Sequence, residues 1–220
     1  MDNLFNTTFN FEVPTPLCEI MGNNKTDKGS VDIKKSWHNY TVLYYYFFKE
    51  MQNKKLNLFE LGLGTNNTAF AFNMGVNGRP GASLYGWREF FVNSEIYGAD
   101  IDKDILFNTE RIKTYFCDQT NPELIHSMWN QPELQITFDI MVDDGLHLFY
   151  ANACFFENSI HKLSKNGYYI IEDLNNHELH LFNKEIELWK VKYPNLQFTL
   201  LEIPSFVNKC DNNLLIIYKR

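Results

Sequence analysis

Two stretches of this chain begin as apolar runs and end in acidic residues, a pattern that places carboxylate chemistry at the ends of strands. The first runs Phe138-Asp-Ile-Met-Val-Asp-Asp-Gly-Leu-His147, so two carboxylates, a glycine and a histidine follow the apolar run. The second, Tyr168-Tyr-Ile-Ile171, continues into Glu172 and Asp173. Ligands of open α/β sheets bind beyond the carboxyl ends of the strands. The two stretches therefore predict one shared, oxygen-rich pocket.

A glycine-containing segment, Glu60-Leu-Gly-Leu-Gly-Thr65, follows a strand candidate at Leu56 to Leu61. Gly62 and Gly64 permit a tight turn and a close approach of the backbone to a cofactor. The third glycine of a dinucleotide fingerprint is absent, and an acidic residue precedes the first glycine by two positions. Both details favour S-adenosylmethionine over NAD, with Glu60 near the amino group of the cofactor. An ordinary strand-to-loop turn is the alternative.

Acidic residues also follow the next two strands. Asp100 terminates the second strand and is expected to accept hydrogen bonds from ribose hydroxyls. Its alternative role is a helix N-cap, which Asp102 could equally fill. Asp118 follows a third strand at Arg111 to Phe116, and we expect it to meet the adenine amino group.

Composition limits the class of protein. The chain has 220 residues, 45% of them hydrophobic, which suits one domain with a sizeable core. A net charge of -7 argues against a nucleic-acid or anionic-membrane binder. No apolar run approaches the ~18 residues of a membrane span, and Met1 to Asn6 does not resemble a secretory signal. The four cysteines are widely scattered, and we therefore expect a reduced cytoplasmic protein. The expected partner is a small-molecule substrate, and homo-oligomerisation is left open.

Hydrophobic periodicity supplies the elements that must hold these residues. Residues 1–52 are predicted to form an N-terminal arm and a helix, Ser36 to Gln52, that cover the active site. His38 and Tyr40 are the residues of this helix that could face a ligand. The final two strands have no room for a helix between them and must pair antiparallel. We therefore predict a single α/β domain, 1–220, with a doubly wound, mostly parallel, seven-stranded Rossmann-like sheet and a C-terminal antiparallel hairpin.

From about Asp27 onward the chain resembles a class I S-adenosylmethionine-dependent methyltransferase, and more narrowly the metal-dependent sugar O-methyltransferases of macrolide biosynthesis and their small bacterial relatives. The segments that carry this resemblance are Thr26-Asp-Lys-Gly29, Leu61-Gly-Leu-Gly64, Cys117-Asp-Gln119, Val142-Asp-Asp-Gly-Leu-His147 and Ile171-Glu-Asp-Leu174. The chain departs from relatives by carrying Leu146 where they often have serine, which leaves the substrate open.

The resemblance implies a set of site residues. It implies that Asp144, Glu172 and Asp173 bind magnesium, that His147 is the general base and Asp144 a second catalytic residue, and that Asp143 lies beside the cofactor. For Asp143 the alternative is that it orients neighbouring residues or caps the following helix. For Asp144 the alternative is a helix cap, and for His147 a structural role. Magnesium prefers oxygen ligands and keeps positions open for substrate. A metal lowers the pKa of a coordinated hydroxyl, and a histidine can then remove the proton.

The function expected from these features is O-methylation of a polar small molecule, such as a sugar, a sugar nucleotide or a phosphorylated precursor, in natural-product or surface-polysaccharide biosynthesis. S-adenosylmethionine and Mg²⁺ are the expected cofactors. Two alternatives are a metal-independent N-methyltransferase and a non-catalytic S-adenosylmethionine-binding partner subunit. An NAD-dependent oxidoreductase is disfavoured by the terminal hairpin and the missing third glycine.

Overall fold

A computed structural model describes residues 10–70 and 72–220 of the chain, and the first nine residues of the predicted N-terminal arm lie outside this range. The helices within the described residues are α1 (Pro16–Asn23), α2 (Tyr40–Phe48), α3 (Ala82–Phe90), α4 (Pro122–Trp129), α5 (Phe149–Ser159) and α6 (Leu179–Lys192). The strands are β1 (Asn57–Leu61), β2 (Glu95–Asp100), β3 (Asn108–Thr109), β4 (Ile112–Phe116), β5 (Phe138–Asp143), β6 (Leu163–Ile171), β7 (Leu196–Glu202) and β8 (Asn213–Lys219).

The strands form one sheet in the order β3-β4-β2-β1-β5-β6-β8-β7. Strands β4, β2, β1, β5 and β6 are parallel, while β8 runs antiparallel to both β6 and β7. The predicted fold class and the C-terminal antiparallel hairpin are therefore confirmed. The predicted strand number was too low by one, because a two-residue strand, β3, adds antiparallel to the edge strand β4.

Two apolar layers cover the faces of the sheet. Helices α1, α2 and α3 pack on one face around side chains such as Tyr44 and Trp87. Helices α4, α5 and α6 pack on the other face around Phe155 and Trp189. Within β1, Leu58 joins the first layer and Phe59 the second, as the two-residue period of a strand requires. Within the described residues, no helix combines the length and the apolar character needed to cross a membrane.

Two predicted boundaries differ from the structure. The helix expected from Ser36 begins only at Tyr40, because the backbone before it bonds elsewhere: the amide of His38 donates to the carbonyl of Asp27 at 3.1 Å. The segment Lys165-Asn-Gly167, which the sequence predicts as a turn into the fifth strand, lies inside β6. There Asn166 adopts a positive φ of 62°, and the register against β5 shifts at the same place, so the turn is absorbed as an irregularity of the strand.

Candidate active site

A cleft of about 550 Å³ opens at the carboxyl ends of the parallel strands, a size within the range of small-molecule sites. Its wall is formed by the segments that follow β1, β2, β4, β5 and β6, and by the segment between α1 and α2. The predicted site residues on this wall are Gly62, Gly64, Asp100, Asp118, Asp144, His147 and Asp173. The sheet topology therefore brings most of the predicted residues to one place.

The glycine segment after β1 passes directly against the segment after β5. Gly62 has a φ of 88°, and a Cβ at this position would lie 1.8 Å from the carbonyl oxygen of Asp144. Its amide donates to the carbonyl of Ala99 at 2.8 Å, which holds the turn against β2. Only glycine satisfies both the backbone conformation and the close approach. The cofactor-binding turn and the acidic segment are thus one packed unit.

Glu60 precedes this turn and is buried behind the cleft wall. Its side chain is fully buried, accepts hydrogen bonds from the Ser83 hydroxyl and the Trp87 indole, and lies 3.7 Å from the ammonium of Lys28. The alternation of β1 puts Glu60 on the same face as Leu58, under α3. Glu60 is absent from the described residues that line the cleft, whereas Ser83 and Lys28, which contact its carboxylate, are present there.

The acids after β2 and β4 hold the backbone of the cleft wall. Asp100 accepts hydrogen bonds from the amides of Leu63 and Asp102, at 2.7 and 2.8 Å. Asp102 caps the short 3-10 helix that follows by accepting from the amide of Asp104. Asp100 therefore lies where ribose binding is predicted, and Asp102 performs the alternative capping role. Asp118 is half-buried on the wall and accepts hydrogen bonds from the amide and hydroxyl of residue 120.

At one end of the cleft, Asp144, His147 and Asp173 place their ligand atoms within 4.8 Å of one another. Nε2 of His147 lies 3.2 Å from Oδ1 of Asp144, and Nδ1 lies 3.6 Å from Oδ2 of Asp173. Both His147 and Asp173 have positive φ values, 55° and 56°, a backbone conformation that residues other than glycine rarely adopt. Such conformations persist only where surrounding contacts enforce them, and they are found mostly at functional sites.

The negative charges of Asp144 and Asp173 are balanced by His147 and by Lys28. Burial alone would lower the pKa of His147, but the hydrogen bond to Asp144 and the charge of Asp173 raise it to about 10. Burial alone would raise the pKa of Asp144, but Lys28 and His147 lower it well below its usual range. His147 is therefore held as an imidazolium between two carboxylates at neutral pH.

Glu172, the third predicted metal ligand, is buried behind the cluster. One oxygen accepts a 2.6 Å hydrogen bond from the hydroxyl of Tyr44, and the other accepts a hydrogen bond from the ammonium of Lys28. Lys28 also contacts Asp144. The structure thus places Glu172 next to Asp144 through a shared lysine, with both carboxylate oxygens already engaged.

Asp173 is contacted by His38, from the segment that leads into α2, and by Tyr40, the first residue of α2. The hydroxyl of Tyr40 donates to its Oδ1 at 2.8 Å, and Nε2 of His38 lies 3.4 Å from the same oxygen. The two rings stack, with centroids 4.7 Å apart. His38 lines the cleft as predicted, but Tyr40 acts through Asp173 instead of facing the cleft directly.

Asp143 is the last residue of β5, and its side chain is fully buried. Its Oδ1 accepts a 2.7 Å hydrogen bond from the side-chain amide of Gln119, while Oδ2 has no hydrogen-bond partner within the described part of the chain. The carbonyl oxygen of the Gln119 side chain accepts from the amide of Leu146 at 2.7 Å. Burial raises the pKa of Asp143 to about 7, against the opposing effect of the Asn152 amide. Asp143 therefore supports the loop after β5 and does not line the cleft.

Three residues at the site carried no role in the sequence-based prediction: Lys28, Tyr44 and Gln119. Lys28 and Gln119 stand inside segments that carried the resemblance, so their position was visible although their partners were not. Tyr44 belongs to the aromatic pattern of α2 and gave no signal beyond core packing.

Comparison with solved structures identifies the fold as that of the class I methyltransferases. MycE methyltransferase from the mycinamycin biosynthetic pathway, in complex with Mg and SAH, superposes with a TM-score of 0.70 at 23% identity, covering 93% of this chain and 55% of that one. An O-methyltransferase from Bacillus cereus in complex with SAH superposes with a TM-score of 0.59 at 12% identity, covering 94% of this chain and 93% of that one.

Sequence comparison finds relatives of the same kind. The 8-demethyl-8-alpha-L-rhamnosyl tetracenomycin-C 2'-O-methyltransferase of Streptomyces olivaceus is 26% identical over 62% of this chain and 33% of its own length. Demethylmacrocin O-methyltransferase of Streptomyces fradiae is 30% identical over 63% of this chain and 32% of its own length. The match thus spans about a third of these curated relatives. No family model matches the chain. The predicted resemblance to class I methyltransferases and to sugar O-methyltransferases is confirmed.

Proposed function

We propose that this protein is an S-adenosylmethionine-dependent, magnesium-dependent O-methyltransferase that acts on a sugar hydroxyl of a small molecule. The observation that carries the proposal is the position of the Asp144–His147–Asp173 cluster at one end of a cleft whose other wall is the glycine turn. This arrangement puts a candidate base and oxygen ligands beside a predicted cofactor site. The similarity to named sugar O-methyltransferases supports the same reaction class.

The cofactor would lie along the glycine turn. Gly62 and Gly64 allow the backbone to approach it, and Asp100 and Asp118 stand on the wall where ribose and adenine groups would be recognised. Glu60 contributes from behind the turn, by fixing α3 against β1 through Ser83 and Trp87. Asp143 contributes from behind as well, by holding the loop after β5.

The acidic cluster fits a magnesium ion. Asp144 and Asp173 offer carboxylate oxygens at the cleft, which are the ligands that Mg²⁺ prefers. Each oxygen of Glu172 already accepts one hydrogen bond, from Lys28 or from Tyr44. Because a carboxylate oxygen has two lone pairs, one of these oxygens could also bind the ion, and Glu172 would then complete the predicted set of metal ligands. Magnesium, when bound, supplies a positive charge that favours ionisation of a nearby hydroxyl.

His147 would act as the proton acceptor. Its imidazole lies between Asp144 and Asp173, and the two carboxylates raise its pKa to about 10. Additional positive charge at the same carboxylates lowers the pKa of the imidazole and releases a base at neutral pH. The two carboxylates then hold the ring in place for proton removal from a hydroxyl.

The acceptor side of the cleft favours a neutral glycoside. Trp37, Phe72 and Tyr150 are exposed aromatic side chains on its rim, and the Phe72 ring lies 5.6 Å from that of His147. Aromatic faces suit the apolar faces of sugars and of polyketide-like groups. The cleft wall carries several aspartates, which disfavour phosphate groups. We therefore place natural-product glycosides before sugar nucleotides, phosphorylated precursors and polysaccharides.

The location we propose is the cytoplasm, where thiols stay reduced. Cys18, Cys117, Cys154 and Cys210 are free thiols in the structure. This part of the proposal is independent of the reaction.

Calorimetric titration tests the proposal directly. S-adenosylmethionine and S-adenosylhomocysteine are titrated with and without Mg²⁺ into the wild type and Asp144→Asn, with Asp104→Asn as a control for loss of an exposed acid outside the cleft. We expect cofactor binding in all three proteins and Mg²⁺ binding that only Asp144→Asn loses. Methyl transfer to a panel of glycosides should then stop on addition of a chelator. Absence of cofactor binding by the wild type would contradict the proposal, and chelator-insensitive turnover would contradict its metal.

A further inference from the structure

Lys28 lies in an irregular segment between α1 and α2, yet its side chain is only 2% exposed. Two backbone contacts fix it: its amide donates to the Thr26 hydroxyl at 3.0 Å, and its carbonyl accepts from the amide of Thr41. The next residue is Gly29, where a Cβ would lie 1.9 Å from the hydroxyl oxygen of Thr41. The segment is therefore packed tightly enough to deliver one defined side chain.

The ammonium of Lys28 joins three strands at their carboxyl ends. It lies 2.5 Å from Oδ2 of Asp144 after β5, donates to Oε2 of Glu172 after β6, and lies 3.7 Å from Oε1 of Glu60 in β1. The Glu172 and Glu60 side chains are both buried. One lysine thus orients a group of buried acids that would otherwise repel one another.

Lys28 determines which oxygen of Asp144 faces the cleft. Because Oδ2 is held by the ammonium, Oδ1 points towards His147 and Asp173. A carboxylate held at one oxygen by an outer hydrogen-bond partner, with the other oxygen turned to the metal position, is the usual arrangement of a metal ligand.

We propose that Lys28 is a positioning residue that fixes Asp144 and Glu172 for divalent-metal binding. This inference rests on the proposed function, because it assigns Lys28 a part in the same metal site. Lys28 lies on the cleft wall, and its ammonium contacts the carboxylates of Asp144 and Glu172, so the part we assign it is to orient these ligands.

The positioning role and a purely electrostatic role predict opposite results. If Lys28 acted only as a positive charge near the site, its removal would make the cluster more acidic and Mg²⁺ would bind more tightly. If Lys28 positions Asp144, its removal lets that carboxylate rotate and Mg²⁺ binds more weakly. Removal of an outer-shell partner typically lowers metal affinity about 10-fold to 100-fold.

The test is calorimetric titration of Mg²⁺ into the wild type, Lys28→Met and Lys28→Gln. Methionine keeps the length of the side chain without a donor or charge, and glutamine keeps a donor without the charge. Lys35→Met is the matched control, since Lys35 lies in the same segment and is 84% exposed. We expect a Mg²⁺ dissociation constant about tenfold higher or more in Lys28→Met, a smaller increase in Lys28→Gln, and no change in Lys35→Met.

Binding of S-adenosylhomocysteine confirms that each variant is folded, and if Lys28→Met does not fold, Lys28→Gln carries the same test. The positioning role is overturned if the Mg²⁺ dissociation constant of Lys28→Met rises by less than about threefold, stays unchanged or falls. The two proposals fail separately. A wild type that binds neither Mg²⁺ nor S-adenosylhomocysteine contradicts the proposed function, whereas normal wild-type binding with an equally competent Lys28→Met contradicts only the role of Lys28.

Discussion

The hydroxyl of Tyr40 donates a 2.8 Å hydrogen bond to Oδ1 of Asp173, and Tyr44, one helical turn later, donates to Glu172 at 2.6 Å. Helix α2 therefore supplies one phenol to each acid of the pair after β6. The spacing of four residues puts both hydroxyls on the same face of the helix. Because Asp173 lines the cleft and Glu172 does not, the two bonds support different parts of the site.

Substitution of these two tyrosines separates their roles. Removing a buried hydrogen bond to a charged group costs about 1.5–3 kcal/mol, so both Tyr40→Phe and Tyr44→Phe should lower the melting temperature. We expect Tyr40→Phe to weaken Mg²⁺ binding more than Tyr44→Phe does, because it frees a carboxylate at the cleft. Calorimetry and thermal denaturation of the pair provide the comparison. A larger loss of Mg²⁺ affinity in Tyr44→Phe would show instead that Glu172 dominates binding of the metal.

Replacement of His147 should affect turnover and not cofactor binding. General-base catalysis contributes typically about 100-fold to 10,000-fold, and we expect a loss of that size in His147→Gln. We assign His147 to proton removal and not to cofactor recognition, so the dissociation constant for S-adenosylhomocysteine should stay near the wild-type value. His126→Gln, an exposed histidine of α4, is the control. Turnover by His147→Gln at the wild-type rate would remove His147 from the mechanism.

The two glycines Gly62 and Gly75 share a positive φ but differ in their surroundings. A Cβ at position 62 would overlap the backbone of Asp144, while a Cβ at position 75 would meet nothing within 4 Å. Alanine in this conformation costs about 1–2 kcal/mol at either position, and overpacking adds about 1–3 kcal/mol at position 62. Thermal denaturation and cofactor titration should therefore show a large loss for Gly62→Ala and a small one for Gly75→Ala. Equal effects would contradict the close approach of the two loops.

The buried carboxyl of Asp143 predicts a pH effect on stability in the absence of metal. Burial raises its pKa in the folded protein to about 7, whereas the unfolded chain has the ordinary lower value. Between these two values the folded state binds more protons, so the free energy of unfolding decreases as the pH rises. Asp143→Asn lacks this ionisation. The difference in melting temperature, variant minus wild type, should therefore be more positive at about pH 8 than at about pH 5. Chelator-treated samples measured across that range provide the test, and a constant difference would show that Asp143 does not ionise there.

The fold could be predicted in detail because its signals are local and periodic. Apolar runs of strand length alternate with helical spacing up to the last two strands, where no helix fits, and this pattern determines the parallel sheet and the terminal hairpin. The same reasoning placed Asp144 and Asp173 together, since the carboxyl ends of neighbouring parallel strands meet at one edge. The short strand β3 escaped prediction because two residues carry no period.

The sequence by itself therefore determined the sheet, the position of the glycine turn and the edge at which the acids gather. Only the tertiary structure decided which atoms face the cleft. Glu60 precedes Gly62 by two residues, yet the alternation of β1 turns it under α3, a direction that depends on which face the helices cover. Lys28 comes from an irregular segment far from its partners in the chain, and no local pattern could assign its ammonium to Asp144 and Glu172. Periodicity specifies elements, whereas contacts between distant loops depend on how those elements pack.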